Sequence, residues 1–191
     1  LTINAAETKG GTGHGIYAYN AGSGGTSITV ASTGSIETSA DKGFGIYNKS
    51  SGTAAKLNEI TVAGSITTAG EGAHGIYNLG DFNKTIIEGG GIIRTKGNNT
   101  GGIFQAGDNN TAYIFGTVNS GTFDADPKNE DNKTTGSSAL YNKSGKNNTF
   151  VLEESSLIIG AISAGNAASN NTLMVSEALL DDGGFSYTIG G

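Results

Sequence analysis

The sequence predicts an all-β protein, a parallel β-helix (β-solenoid) with about three short strands per coil and roughly six to seven coils. Three observations carry that reading: a phrase that recurs at a near-constant period, short β-prone runs separated by turn formers, and a composition too thin in apolar residues for an ordinary core.

The phrase is Gly15-Ile16-Tyr17, repeated as Gly45-Ile46-Tyr47 and Gly75-Ile76-Tyr77, then as Gly102-Ile103-Phe104 and Ala139-Leu140-Tyr141. Its spacings are 30, 30, 27 and 37 residues. A fixed period of this size marks stacked supersecondary units, none of which buries a core alone. The segments before it match as well. Ile28-Thr29-Val30 leads to Gly34-Ser35-Ile36-Glu37-Thr38, and Ile60-Thr61-Val62 leads to Gly64-Ser65-Ile66-Thr67-Thr68. Gly91-Ile92-Ile93-Arg94-Thr95 is a looser copy.

The runs alternate with period two, as strands do, and Gly, Asn, Ser and Asp separate them. No helix-period segment of useful length appears, Val175 to Leu180 offering one turn at most. Alternation directs Ile16, Ile46, Ile76, Ile103 and Leu140 inward and sets Tyr17, Tyr47, Tyr77, Phe104 and Tyr141 in an outward stripe. The next inward column is Ala18, Asn48, Asn78, Gln105 and Asn142, whose amides are expected to bond from coil to coil as a ladder.

The 191 residues include 33 Gly, one Pro and no Cys; 35% are hydrophobic and 15% charged. Low charge and regular Ile, Val and Leu spacing separate this chain from disordered segments. Stacked at about 4.8 Å per coil, it makes a rod on the order of 30 Å long. Proline breaks strand ladders, and Pro127 falls in the longest spacing, so a loop insertion is expected near 124–136. The whole of 1–191 reads as one β-helix segment. Without an initiator Met or a signal pattern at Leu1, it reads as a fragment of a longer protein.

A net charge of −6 gives no electrostatic footprint for nucleic acid. No apolar run is long enough for membrane insertion. Without Cys there is no disulfide framework. No cofactor, catalytic residue or metal site is expected. His14 and His74 share a repeat position with Phe44, Gly101 and Ser138, which reads as a packing or surface column. Glu153-Glu154 and Asp181-Asp182 are adjacent pairs whose side chains point to opposite faces in a strand, so adjacency makes no carboxylate dyad. The loop residues Asp124, Asp126, Glu130 and Asp131 offer oxygen ligands for Ca²⁺ without a calcium-loop spacing, and read as a solvated acidic loop. Eight Asn-x-Ser/Thr sequons (Asn48, Asn83, Asn98, Asn109, Asn132, Asn142, Asn147 and Asn170) are expected from composition alone.

The Gly-Ile-Tyr-Asn phrase, with Gly-Ser-Ile and Ile-Thr-Val strands in Gly/Asn/Ser/Thr-rich coils, resembles passenger domains of bacterial autotransporters (type V secreted proteins) over about residues 10–175. The resemblance implies a right-handed β-helix at the cell surface of a Gram-negative bacterium or secreted from it, often an adhesin. It also implies a membrane barrel and a signal that this chain does not contain. The function expected is non-enzymatic: an adhesin or its stalk, with a host-cell or bacterial surface protein or glycan as partner. Partner contact is expected from Tyr17, Tyr47, Tyr77, Phe104 and Tyr141, with Asp124 and Asp126 of the loop. Stacking of those aromatic groups purely for stability is the competing reading. A carbohydrate-active β-helix enzyme is the alternative function. An ice- or crystal-binding solenoid requires a flat outward Thr array, and the Thr here are not expected to stay in register.

Overall fold

The computed structural model describes residues 2–3, 7–10, 13–21, 24–51, 58–120 and 137–176. The expected loop at 124–136, with Asp124 and Asp126, lies outside the described residues, as do Asp181 and Asp182.

Among the described residues, nineteen strands follow one another in threes. The first coil holds β1 (Thr2–Ile3), β2 (Glu7–Gly10) and β3 (Ile16–Asn20). The second holds β4 (Ser27–Val30), β5 (Ser35–Thr38) and β6 (Ile46–Ser50); the third, β7 (Asn58–Val62), β8 (Ser65–Thr68) and β9 (Ile76–Leu79). The fourth has β10 (Asn83–Ile87), β11 (Ile92–Thr95) and β12 (Gly101–Ala106), and the fifth β13 (Thr111–Ile114), β14 (Thr117–Ser120) and β15 (Ser138–Lys146). The sixth comprises β16 (Thr149–Leu152), β17 (Leu157–Ile159) and β18 (Ala161–Ser169), and β19 (Thr172–Val175) begins another. Every third strand pairs, in parallel, into three sheets: a first from β1 to β19, a second from β2 to β17 and a third from β3 to β18. This is the parallel β-helix expected from the repeat.

Register follows the phrase. Ile16 pairs with Ile46, Ile46 with Ile76, Ile76 with Ile103 and Ile103 with Leu140. On the second sheet Ile36, Ile66, Ile93 and Val118 stack likewise, and on the first Val30, Val62, Ile87, Ile114 and Leu152. All of these side chains are buried in one continuous core. The sequence phrase missed one unit: Ile162 of β18 continues the Leu140 column, although Ala161-Ile162-Ser163 has lost both the glycine and the aromatic group.

The glycine of the phrase is set by packing across the coil. A Cβ on Gly45 would lie 2.3 Å from Ile66 Cγ2 and 2.6 Å from the Gly75 carbonyl oxygen. Gly15, Gly75 and Gly102 are confined in the same way. In the fifth coil the position is Ala139, and there the register of β15 against β18 shifts between Ser138 and Leu140, a bulge that accommodates the methyl group.

The interior amides depart from the expected single ladder. Asn48, Asn78, Gln105 and Asn142 are buried in one column, but only Asn48 donates to its column neighbour, Asn78 Oδ1, at 3.0 Å. Asn78 turns its amide to Thr85 Oγ1 at 2.9 Å. The residue aligned with Thr85 in the next coil is Ala112, so the fully buried Gln105 side chain has no polar group opposite it and finds no partner among the described residues.

The continuous ladder lies at the entry to the first sheet, in a column the sequence reading overlooked: Asn58, Asn83, Asn110, Asn148 and Asn171. Asn58 donates to Asn83 Oδ1 at 3.2 Å and Asn83 to Asn110 Oδ1 at 2.9 Å. The backbone N–H of Asn110 then donates to Asn148 Oδ1 and that of Asn148 to Asn171 Oδ1, at 2.9 and 3.0 Å. Asn83 joins the two columns, because its Oδ1 also accepts from Asn48 at 3.0 Å and its amide also donates to the Gly80 carbonyl at 2.9 Å.

The residue before this ladder turns the corner in the left-handed region, at Phe82, Asn109, Asn147 and Asn170 (φ 57°, 58°, 58° and 52°). Asparagine tolerates that conformation and phenylalanine does so at a cost. The phrase Asn-Asn-Thr at 109–111, 147–149 and 170–172 is therefore corner, ladder and strand start in succession. Three of the eight sequons come from this geometry rather than from composition alone.

Two stability effects follow. Gly45→Ala is expected to destabilise by about 1–3 kcal/mol or more, since the clash includes backbone that cannot move aside. Asn83→Ala, which leaves several buried amide groups unpaired, is expected to lose about 2–4 kcal/mol. Urea unfolding of both variants measures this; wild-type midpoints would refute the packing and ladder assignments.

Candidate functional site

The outward face of the third sheet carries a row of aromatic groups. Tyr17 pairs with Tyr47, Tyr47 with Tyr77, Tyr77 with Phe104 and Phe104 with Tyr141, so the expected stripe forms. Three residues earlier in each repeat stand His14, Phe44 and His74, in a second column beside it. Their rings stack along the axis: His14 on Phe44 at 4.8 Å and 15°, Phe44 on His74 at 5.1 Å and 24°. Tyr47 and Tyr77 stack at 5.2 Å and 16°, and Tyr17 tilts against Tyr47 at 5.2 Å. Edge-to-face contacts join the columns: Tyr47 meets Phe44 at 5.4 Å and Tyr77 meets His74 at 5.5 Å. Such pairs stabilise beyond their area burial, each by about 0.5–1.5 kcal/mol.

Phe104 departs from the expected outward stripe. It is 7% exposed, whereas Tyr17 is 56% exposed. The cause is Gly101, which occupies the His/Phe position of its coil and has no side chain. The Phe104 ring moves over that glycine and stacks on His74 at 4.2 Å, completing the inner column. Tyr77 and Tyr141 then cover it edge-on at 4.6 and 5.2 Å. Of the stripe residues, Phe104 therefore serves the rod; Tyr17 is exposed, and Tyr47, Tyr77 and Tyr141 are half-buried. Next to the stripe Tyr19, 55% exposed, pairs with Lys49, whose Nζ lies 5.5 Å from the Tyr19 ring centre. Sequence reading passed over Tyr19. Its signal was the alternation Tyr17-Ala18-Tyr19, which puts both tyrosines on one face.

The histidines have structural partners. His14 Nδ1 accepts the Phe44 N–H at 3.1 Å and His74 Nδ1 the Gly101 N–H at 2.7 Å. Each neutral ring therefore carries its proton on Nε2. Burial, aided by the nearby Lys143 ammonium, lowers the His74 pKa to about 4, and burial lowers that of His14. A ring in this state is a packing element that accepts one backbone bond, as the shared column with Phe44 suggested.

Several of the described carboxylates hold coils together. Asp41 Oδ1 accepts the Glu71 N–H at 2.9 Å, Asp81 Oδ1 that of Asp108 at 2.7 Å, and Asp108 Oδ1 that of Lys146 at 2.9 Å. Glu59 pairs with Lys84 at 3.0 Å. Glu153 sits in the corner after β16, where its carbonyl accepts the Ser156 N–H. Among the described residues no three His, Asp or Glu side chains gather as a metal-ligand set.

The threonines differ from expectation on one sheet. Thr2, Thr29 and Thr61 do fall in register, but the column continues as Ile86, Tyr113, Val151 and Met174. No protein-family model, curated protein or solved structure matches the chain.

Acid should loosen this cluster. The His74 pKa lies below its unfolded value, so the unfolded chain takes up the proton first. Stability is full above about pH 6.5, falls as pH drops toward 4 and levels off below. The loss is on the order of 2 kcal/mol, allowing for the partial exposure of the ring. His74→Phe should flatten that part of the profile. Equal pH dependence of the unfolding free energy in both proteins would refute the assignment.

Proposed function

We propose that the chain is a non-enzymatic, surface-exposed or secreted passenger segment of a bacterial protein, an adhesin or its stalk, that mediates attachment to host or other cells. The observation that carries this reading is the continuous coil-on-coil stacking from β3 to β18, interrupted only by local bulges at β12, β15 and β18, around a core filled by side chains. Repeated hydrogen-bonded coils make a rod whose stiffness comes from the backbone and whose outer side chains are free to vary. That division suits a spacer carrying a contact face away from a cell. The similarity of the Gly-Ile-Tyr-Asn coils to autotransporter passengers points the same way and suggests display outside a Gram-negative cell. The accessible tyrosines on the third sheet supply the contact face, with a surface protein or glycan as partner. Exposed aromatic groups gathered on one face are typical of docking surfaces.

The test is attachment. Beads coated with residues 1–191 are expected to adhere to epithelial or bacterial cells above bare beads. Tyr47→Ala/Tyr77→Ala, confirmed as folded by circular dichroism, should reduce adhesion several-fold. Undiminished adhesion by the folded variant would remove the ladder from the contact, and no adhesion by wild type would leave only a spacer role.

A further inference from the structure

The geometry points to a linear acidic polysaccharide, running along the rod axis over the tyrosine ladder, as the ligand of the third sheet's outer face. The inference rests on the binding role proposed above and narrows it to one class of partner.

Charge is the first argument. The chain carries 17 acidic and 11 basic residues. The six strands of the third sheet nevertheless contain no Asp or Glu, while Lys49, Lys143 and Lys146 all lie on them. Lys49 and Lys143 each stand two residues after the aromatic residue of their coil; Lys49 lies beside the tyrosine column, and Lys143 falls in the bulge of β15. The Nζ of Lys143 lies 5.9 Å from the Phe104 ring centre. At about 4.8 Å per coil the two lysines are roughly 14 Å apart along the axis. The nearest acids stand at the corners bordering the face: Asp41 and Glu71 before it, Asp81 and Asp108 after it. Asp41, Asp81 and Asp108 each already accept a backbone N–H. An anionic chain on the face thus meets two cations and no carboxylate on the strands themselves.

Size and ring orientation are the second argument. The face measures roughly 400 Å² from its strand spacing and rise, against about 800 Å² per partner for a stable protein–protein interface. A narrow, extended ligand fits it better than a globular one. The mutual stacking of Tyr47 and Tyr77 turns their ring faces toward each other and their edges outward. The ladder therefore offers ring edges and phenol hydroxyls at one coil per step, suited to hydrogen-bonding a repeating sugar hydroxyl pattern rather than to stacking flat on single rings. Polymer carboxylates or sulfates would pair with Lys49 and Lys143 as solvated ion pairs, so binding weakens with salt.

The test is calorimetric titration of residues 1–191 with polygalacturonate, using dextran as the neutral polysaccharide and poly-glutamate as the acidic polypeptide. Expected are binding to polygalacturonate alone and weakening from 50 to 300 mM salt, on the order of the screening change. Lys49→Ala/Lys143→Ala should lose about ten-fold, roughly 1.4 kcal/mol, while Lys96→Ala, which lies off this face, is unaffected. Tyr47→Ala should weaken binding without altering the salt dependence. Equal binding of dextran, preference for poly-glutamate, equal effects of the Lys96 and Lys49/Lys143 changes, or no binding to any polymer would each overturn the inference. Cell attachment that persists when polygalacturonate fails to bind would sink the acidic glycan alone and leave the adhesive reading standing.

Discussion

Backbone hydrogen bonding from each coil to the next, in register apart from local bulges on the third sheet, is the constraint on which the rest of this molecule depends. Once Ile46 pairs with Ile16 and Ile76, every other position in the coil is obliged to meet its own equivalent above and below. Core isoleucines form columns, the asparagines that follow the corners form a ladder, and aromatic groups form a stack. Some columns keep one residue type, as the isoleucines of the third sheet do, and others change it, as Ile60, Thr85, Ala112 and Phe150 do on the first. Glycine appears where the column across the coil fills the space, as Ile66 does opposite Gly45.

This constraint explains why so thin an apolar content folds. Each coil buries only a few Ile, Val or Leu, and the remaining interior positions are filled by Asn and Thr. Burying amides is costly unless each is bonded. The stack supplies partners at regular intervals, and Asn83 uses its whole amide, accepting from Asn48 and Asn58 and donating to Gly80 and Asn110. Where the repeat loses a partner, as Ala112 replaces the Thr85 hydroxyl, the buried Gln105 amide is stranded. The interior polar network is thus only as complete as the repeat is faithful.

The same logic divides the aromatic groups between structure and surface. A two-column stack needs a ring in each place, and Gly101 withholds one, so Phe104 is drawn inward onto His74. The tyrosines outside it keep their edges in solvent. In the proposed role, a stiff rod with aromatic groups and lysines on its third sheet would separate spanning distance from making contact.

From the residues alone one could read the solenoid class, the coil period, the inward isoleucine column and the alignment of the aromatic stripe, because in-register stacking converts sequence period directly into spatial neighbourhood. His14 and His74 were legible as packing residues for the same reason, since Phe44 shares their column. What only the tertiary structure decided concerns relations across a coil rather than along the stack. The pairing of Asn78 with Thr85, the junction at Asn83, the sliding of Phe104 over Gly101 and the clash that requires Gly45 all depend on how three sheets close on one another. Period carries no information about that closure, which is set by side-chain volume and hydrogen-bond reach across the interior.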